Sequence, residues 1–240
     1  MKLSAPVYHL KRKAKRLSRE AGIPLHAALD RIAGQEGFKS WNLLASRLPA
    51  HISAHGIHAR LQPGDMVLVG ARPGHGKTLL SLEILIEAMK TGRRGLFFSL
   101  EYNERDIAKR FQALGVDYGR FGASFTFDNS DAISASYIID RMRDAPAGTF
   151  AVIDYLQILD QNREKPGLMA QITALEAFAR QKAVTFVCIA QIDRAFDADT
   201  GTCPGPEDVR LPNPLDLSLF SKAVFLNNGD VRLMNGIRGG

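Results

Sequence analysis

Cysteine is scarce: Cys188 and Cys203 are the two in 240 residues, and they fall in no metal or redox spacing. A disulfide scaffold and a thiolate metal site are therefore excluded, and free thiols fit a reducing cytoplasm. Long apolar runs are absent. No stretch approaches the roughly 20 residues that cross a bilayer, so no membrane partner is expected. The opening MKLSAPVYHLKRKAK has no apolar core of the signal-peptide kind, which predicts a cytoplasmic chain. Tryptophan occurs once, at Trp41, and no internal repeat is visible.

What is present is ordinary for a globular protein: 45% hydrophobic and 23% charged residues. The length allows one large domain with a small extension. Charge is distributed unevenly. Residues 1–60 hold 11 Lys+Arg against 3 Asp+Glu, and the remaining 180 hold 20 against 22, which together give the net +6. A basic segment on a near-neutral body predicts a polyanionic partner for that segment.

Residues 1–48 read as a small basic helical module. Leu10, Ala14, Leu17 and Ala21 recur at helical spacing. Gly22 and Pro24 mark a turn before a second helix with Leu25, Leu29, Ile32 and Ala33 on one face. Gly37 ends it, and Ser40 can cap a third helix with Trp41, Leu44 and Leu48 inward. So small a core is expected to lean on the main domain. Residues 49–63 read as a linker. His51, His55 and His58 have helical metal-ligand spacing, but Pro49 and Gly56 speak against a helix, so a polar linker is the expectation.

Residues 64–240 alternate strands and helices. DMVLVG, GLFFSL, SFTFDN, TFAVIDYLQIL and VTFVCIAQ are near-continuous apolar runs, with helical stretches at 79–91, 103–114, 133–144 and 168–182. This pattern predicts a mostly parallel sheet covered by helices on both faces, an α/β fold. AVFLNNGDVRLMN predicts a hairpin around Asn228-Gly229. The Pro/Gly-rich 198–214 reads as a mobile loop.

Between the first strand and first helix of this body stands GARPGHGKT. Ala71 takes the place where Gly-x4-Gly-Lys-Thr expects glycine, and the glycine is one position earlier, at Gly70. Backbone N–H groups over Ala71, Arg72, Pro73, Gly74, His75, Gly76, Lys77 and Thr78 suit a phosphate cradle, proline itself supplying none, and the helix start adds a positive dipole end. Gly74 and Gly76 allow close backbone approach. Lys77 can reach the β- and γ-phosphates, Thr78 can place its hydroxyl on Mg²⁺, and Ala71 is small enough to be accepted. His75 is expected to be permissive.

Phosphoryl transfer to water also needs a metal anchor, a group to orient the water and positive charge on the phosphates. Asp154 ends an apolar strand and can hold Mg²⁺ through water, the bland alternative being a strand-end cap. Glu101 directly follows GLFFSL and is placed to polarise water. A Glu favoured by a helix dipole is the bland alternative there. Gln191, at the end of VTFVCIAQ, could sense the γ-phosphate.

GARPGHGKT, FFSLE, VIDYLQIL and AQIDR, in this order, resemble the motor domain of DnaB-type replicative helicases over about residues 57–240. That family accepts Ala at the first loop position. The resemblance implies a RecA-like fold and Mg²⁺-ATP hydrolysis. Lys77 and Thr78 would serve in the phosphate loop, Glu101 as water-activating acid, Asp154 as magnesium aspartate and Gln191 as sensor. Arg110 matches a family arginine. The resemblance also implies a homo-oligomeric ring, such as a hexamer, with nucleotide between subunits and single-stranded DNA in the centre. KaiC-like ATPases share the fold but tend to carry paired acids after the second strand; Glu101-Tyr102 and DYLQ favour the DnaB side.

The sequence departs from that family where the small basic module stands in place of the large N-terminal domain. SLFSKA replaces an acidic run, and the basic pair that supplies an arginine finger is reduced to Arg238, with Arg232 as second candidate. Hence two alternatives to a helicase or translocase: an accessory ATP-dependent switch, or a nucleotide-binding DNA adaptor without unwinding. DNA contact is expected from loops holding Arg163, Lys165 and Arg194 and near Phe196, and from Lys11, Arg12, Lys13, Lys15, Arg16 and Arg19, unless the last are only a solvated face.

Overall fold

A computed structural model describes residues 3–5, 7–46, 52–160, 166–198, 203–211 and 213–237. Its centre is a seven-stranded sheet. In chain order the strands are β1 (Met66–Ala71), β2 (Gly95–Ser99), β3 (Phe125–Asp128), β4 (Phe150–Asp154), β5 (Thr185–Gln191), β6 (Lys222–Asn227) and β7 (Asp230–Asn235). They lie in the order β3-β2-β4-β5-β1-β6-β7. All neighbours are parallel except β6 and β7, which pair antiparallel around Asn228-Gly229.

Every residue of β1, β2 and β4 is buried, because the sheet is covered on both sides. Side chains alternate between two cores. Met66, Leu68, Phe98, Ile153 and Cys188 face one, with α7 (Ala135–Arg141) and α8 (Leu168–Lys182). Val67, Val69, Phe97, Val152 and Val187 face the other, with α5 (Lys77–Lys90) and α6 (Glu104–Ala113). Asn103 caps α6 by accepting from the Asp106 N–H, and Asp106 returns the bond.

Residues 54–61 correct the linker expectation. Ser53 caps a short helix, α4 (Ala54–His58), and Ala54, Ile57 and Leu61 join the α5-side core. The apolar spacing Ala54–Ile57–Leu61 outweighs Gly56, which sits inside the helix. His55 bonds Glu87 at 2.9 Å, His58 lies against the Phe150 ring, and no three-ligand metal cluster forms among the described residues. His51 and Pro49 lie outside the described residues. The expected loop after position 198 is also tied down in part. Val209 pairs with Ile192, and the Arg210 N–H donates to the Gln191 carbonyl at 2.8 Å.

The N-terminal helices are α1 (Val7–Ala21), α2 (Leu25–Gln35) and α3 (Trp41–Ser46). Leu10 and Ala14 pack on Ala28 and Ile32, and all residues of this cluster lie between positions 3 and 41. The described N-terminal helices thus share a small core among themselves. Leu25, expected inward, is 42% exposed because Ala28 takes the inner position. Leu48 lies outside the described residues.

Candidate active site

The C-terminal ends of the parallel strands form one rim, and register fixes what stands there. Ala71 pairs with Gln191 and Leu226, and Ser99 pairs with Asp154. Glu101 follows Ser99 by two residues, its N–H donating to the Ser99 hydroxyl at 3.1 Å. The turn after β1 therefore meets the ends of β4, β2 and β5 at one edge. Residues that the sequence spreads over more than a hundred positions come together there.

Gly74 and Gly76 hold φ of +80° and +89°, the left-handed region that glycine enters without strain. Gly76 thereby turns the chain into α5, whose first N–H groups face the rim. Gly70 has a different task. A Cβ there would lie 2.8 Å from the Phe225 ring on β6, so this glycine serves sheet packing. The glycine shift that looked anomalous in sequence reflects a neighbour 155 positions away; Ala71 completes the strand without obstruction.

Burial sets the electrostatics. The Lys77 ammonium is pulled below its usual pKa by desolvation, while Asp154 and Glu101 oppose the drop. Asp154 is fully buried, and that burial raises its carboxyl to about 6. The Thr78 hydroxyl, Lys77 and Arg110 lower it, and Glu101 adds to the rise. Thr78 is close enough to damp the shift, yet neither Asp154 oxygen receives a hydrogen bond of regular geometry. Two buried, unsatisfied carboxylate oxygens beside a hydroxyl and a phosphate-loop lysine are a donor set that fits a hard divalent cation. Such a cation completes its shell with water and phosphate oxygens.

Three features escaped the sequence. Arg110 stacks its guanidinium 3.9 Å over the Tyr102 ring. The half-buried Tyr155 phenol has its pKa raised by burial, then by Glu101 and Asp154. The phosphate turn is also fastened from outside. Arg72 donates to the Phe196 carbonyl at 2.7 Å, and the Asn228 N–H donates to His75 Nδ1 at 3.3 Å. Asn227 and Asn228 both donate to the Ala198 carbonyl at 2.9 Å. His75 thus meets the β6–β7 turn, a contact that the expectation of a permissive position did not include. Only a pattern linking Asn228 to His75 across the chain could have signalled this.

Of the finger candidates, Arg232 is exposed on the edge strand β7, opposite Phe225. Arg238, Arg163 and Lys165 lie outside the described residues. No described helix is long and apolar enough to cross a membrane.

The chain is 25% identical to the replicative DNA helicase DnaB of Leifsonia xyli subsp. xyli, over 62% of this chain and 40% of the helicase. It is 27% identical to that of Mycoplasma pneumoniae, over 65% and 42%. It spans about two fifths of the length of these curated relatives. A solved ATPase domain superposes with a TM-score of 0.54 at 19% identity, covering 68% of this chain and 69% of that one. A KaiC-like protein of Pyrococcus horikoshii OT3 gives 0.50 at 19% identity, over 68% and 70%. The shared fold is RecA-like. A family model described as "ATPase: KaiC" matches residues 54–203, more than half of the sequence, and the chain belongs to that family.

Proposed function

We propose that the chain is a Mg²⁺-dependent ATPase of the helicase or translocase type, acting on single-stranded DNA as a homo-oligomeric ring. The observation that carries the reading is the meeting of Lys77, Asp154 and Glu101 at the rim that bears the phosphate turn. Backbone amides of residues 71–78, Pro73 excepted, cradle the phosphates, and Lys77 neutralises charge on them. Asp154 and Thr78 would hold Mg²⁺, which supplies charge neutralisation on the β- and γ-oxygens. Glu101 is exposed at the rim and accepts the proton of the attacking water. Gln191, beside Ala71, senses the γ-phosphate, and Arg232 or Arg238 completes the site of a neighbouring subunit. The similarity to helicases named DnaB supports the single-stranded substrate and the ring. The segment from Arg194 onward, joined to the phosphate turn through Arg72 and Phe196, suits the role of DNA-facing loop.

The KaiC description of the family favours a second reading, an ATP-driven switch without strand separation. One set of assays distinguishes them: ATP hydrolysis and strand displacement, each with and without single-stranded DNA. A motor is stimulated by DNA and displaces strands; a switch hydrolyses without displacement. Glu101→Gln should retain ATP binding and lose about 10²–10⁴-fold in turnover. Undiminished hydrolysis in Lys77→Ala would end both readings.

A further inference from the structure

The N-terminal helices present a charged surface that the nucleotide site does not use. In α1, Leu10 and Ala14 are buried against Ala28 and Ile32, with Leu17 packed beside them. This leaves Lys11, Lys15 and Arg19, spaced i, i+4, i+8, as an exposed stripe with exposed Arg16 beside it, while Lys13 lies round the helix and donates to Gln35 of α2 at 2.9 Å. Eight residues at 1.5 Å each extend the stripe over about 12 Å. Three acids lie in or beside the same helices, outnumbered by the basic residues, and among the described residues only Glu20 is ion-paired with one of them. Glu20 pairs with Arg16 at 3.6 Å, and Asp30 accepts the Trp41 N–H at 2.8 Å. Glu36 accepts the Ser4 N–H at 2.7 Å and also the Ser4 hydroxyl. Among the described residues Lys11, Lys15 and Arg19 form no ion pair.

We propose that this face of α1 is a docking surface for the phosphate backbone of a nucleic acid, separate from the nucleotide site and independent of ATP. The alternatives are disfavoured by the same packing. A basic helix that lies on an anionic membrane needs its apolar face free to enter the lipid, and here that face is closed inside the module. A protein interface depletes lysine and uses aromatic or apolar anchors, yet the exposed face offers Lys11, Lys15, Arg16, Arg19 and Glu20. Lysine-to-phosphate contacts fix position without reading bases, so binding is sequence-tolerant and salt-sensitive. The surface would hold the ATPase body to a polynucleotide between turnovers.

The test uses the full chain without nucleotide and fluorescence anisotropy of labelled 20-mer single strands and duplexes over a salt series. The wild type should bind both. Lys11→Glu/Lys15→Glu/Arg19→Glu should weaken binding at least about tenfold and reduce the log–log salt slope by about 2–3, as expected for three lost phosphate contacts. Lys11→Arg/Lys15→Arg should bind like the wild type, and so should Lys77→Ala, which separates this surface from the hydrolysis reading. If charge reversal disturbs the fold, as seen in Trp41 fluorescence, the neutral Lys11→Gln/Lys15→Gln/Arg19→Gln variant must show the same loss. The proposal is overturned if the wild type needs nucleotide to bind, if reversed or neutral variants bind like the wild type, or if phosphatidylserine vesicles capture the chain while oligonucleotides do not.

Discussion

At the phosphate rim, Lys77 and Asp154 lie within the fold, and each shifts the other's proton affinity. On α1, Lys11, Lys15 and Arg19 stand in water, where charges are screened and interact weakly. The two regions hold similar residue types with opposite consequences. Burial makes a few charges specific: each needs a partner, and Asp154, lacking a regular hydrogen bond, keeps two oxygens that the proposed cation would use. Exposure makes many charges additive, suited to a repetitive polyanion. The proposed chemistry thus lies where the sheet excludes water, and the proposed adhesion where water remains.

The sharpest way to break this contrast is to neutralise the buried acid. An acid whose pKa rises on folding stabilises the fold at low pH and loses that contribution as pH climbs through the folded value. With Asp154 moving from 3.8 to about 6, ligand-free stability should fall by up to about 3 kcal/mol between pH 4 and 7. Asp154→Asn should remove this loss, raising the melting temperature at pH 7 while abolishing Mg²⁺-dependent hydrolysis. A melting temperature equal to or below wild type at pH 7 would show that the carboxylate is not strained.

Packing offers the next comparison. Gly70→Ala would push a methyl into the Phe225 ring and should cost about 1–3 kcal/mol by overpacking, read by far-UV circular dichroism. Because the single tryptophan, Trp41, belongs to the N-terminal cluster, its fluorescence transition should stay in place. A Trp41 transition moving in step with the sheet would mean that the two regions unfold as one.

A smaller effect tests the fastening of the phosphate turn. His75→Leu removes the acceptor of the Asn228 N–H and should weaken ATP binding about 2–10-fold. His75→Asn keeps an acceptor near Nδ1 and should restore affinity; equal loss in both would assign the effect to bulk alone. Smallest of all, Gly34 sits inside α2, and a Cβ there meets nothing within 4 Å. Gly34→Ala should stabilise the N-terminal helices by about 0.5–1 kcal/mol, seen as a later Trp41 transition during denaturant unfolding.

Much of what meets at the rim was legible because its signals are local. Gly74, Gly76, Lys77 and Thr78 lie within five consecutive positions, and Asp154 and Glu101 are marked by the apolar strands that end beside them. The segment at 54–61 was misread because its helix is short and holds a glycine, and the core that stabilises it is assembled by α5 and the sheet. The contact of His75 was missed because its partner, Asn228, is 153 positions away.

By itself the sequence determined the strands, the longer helices and most turns, since alternation, helical spacing and left-handed glycines act over a few residues. Only the tertiary structure decided that β4 lies between β2 and β5, which brings Asp154 and Glu101 to Lys77. It also decided that Gly70 answers to Phe225 and that α1 turns its basic stripe outward. The reason is physical: sheet order, burial and desolvation depend on contacts between distant segments, and these exist only once the chain has packed.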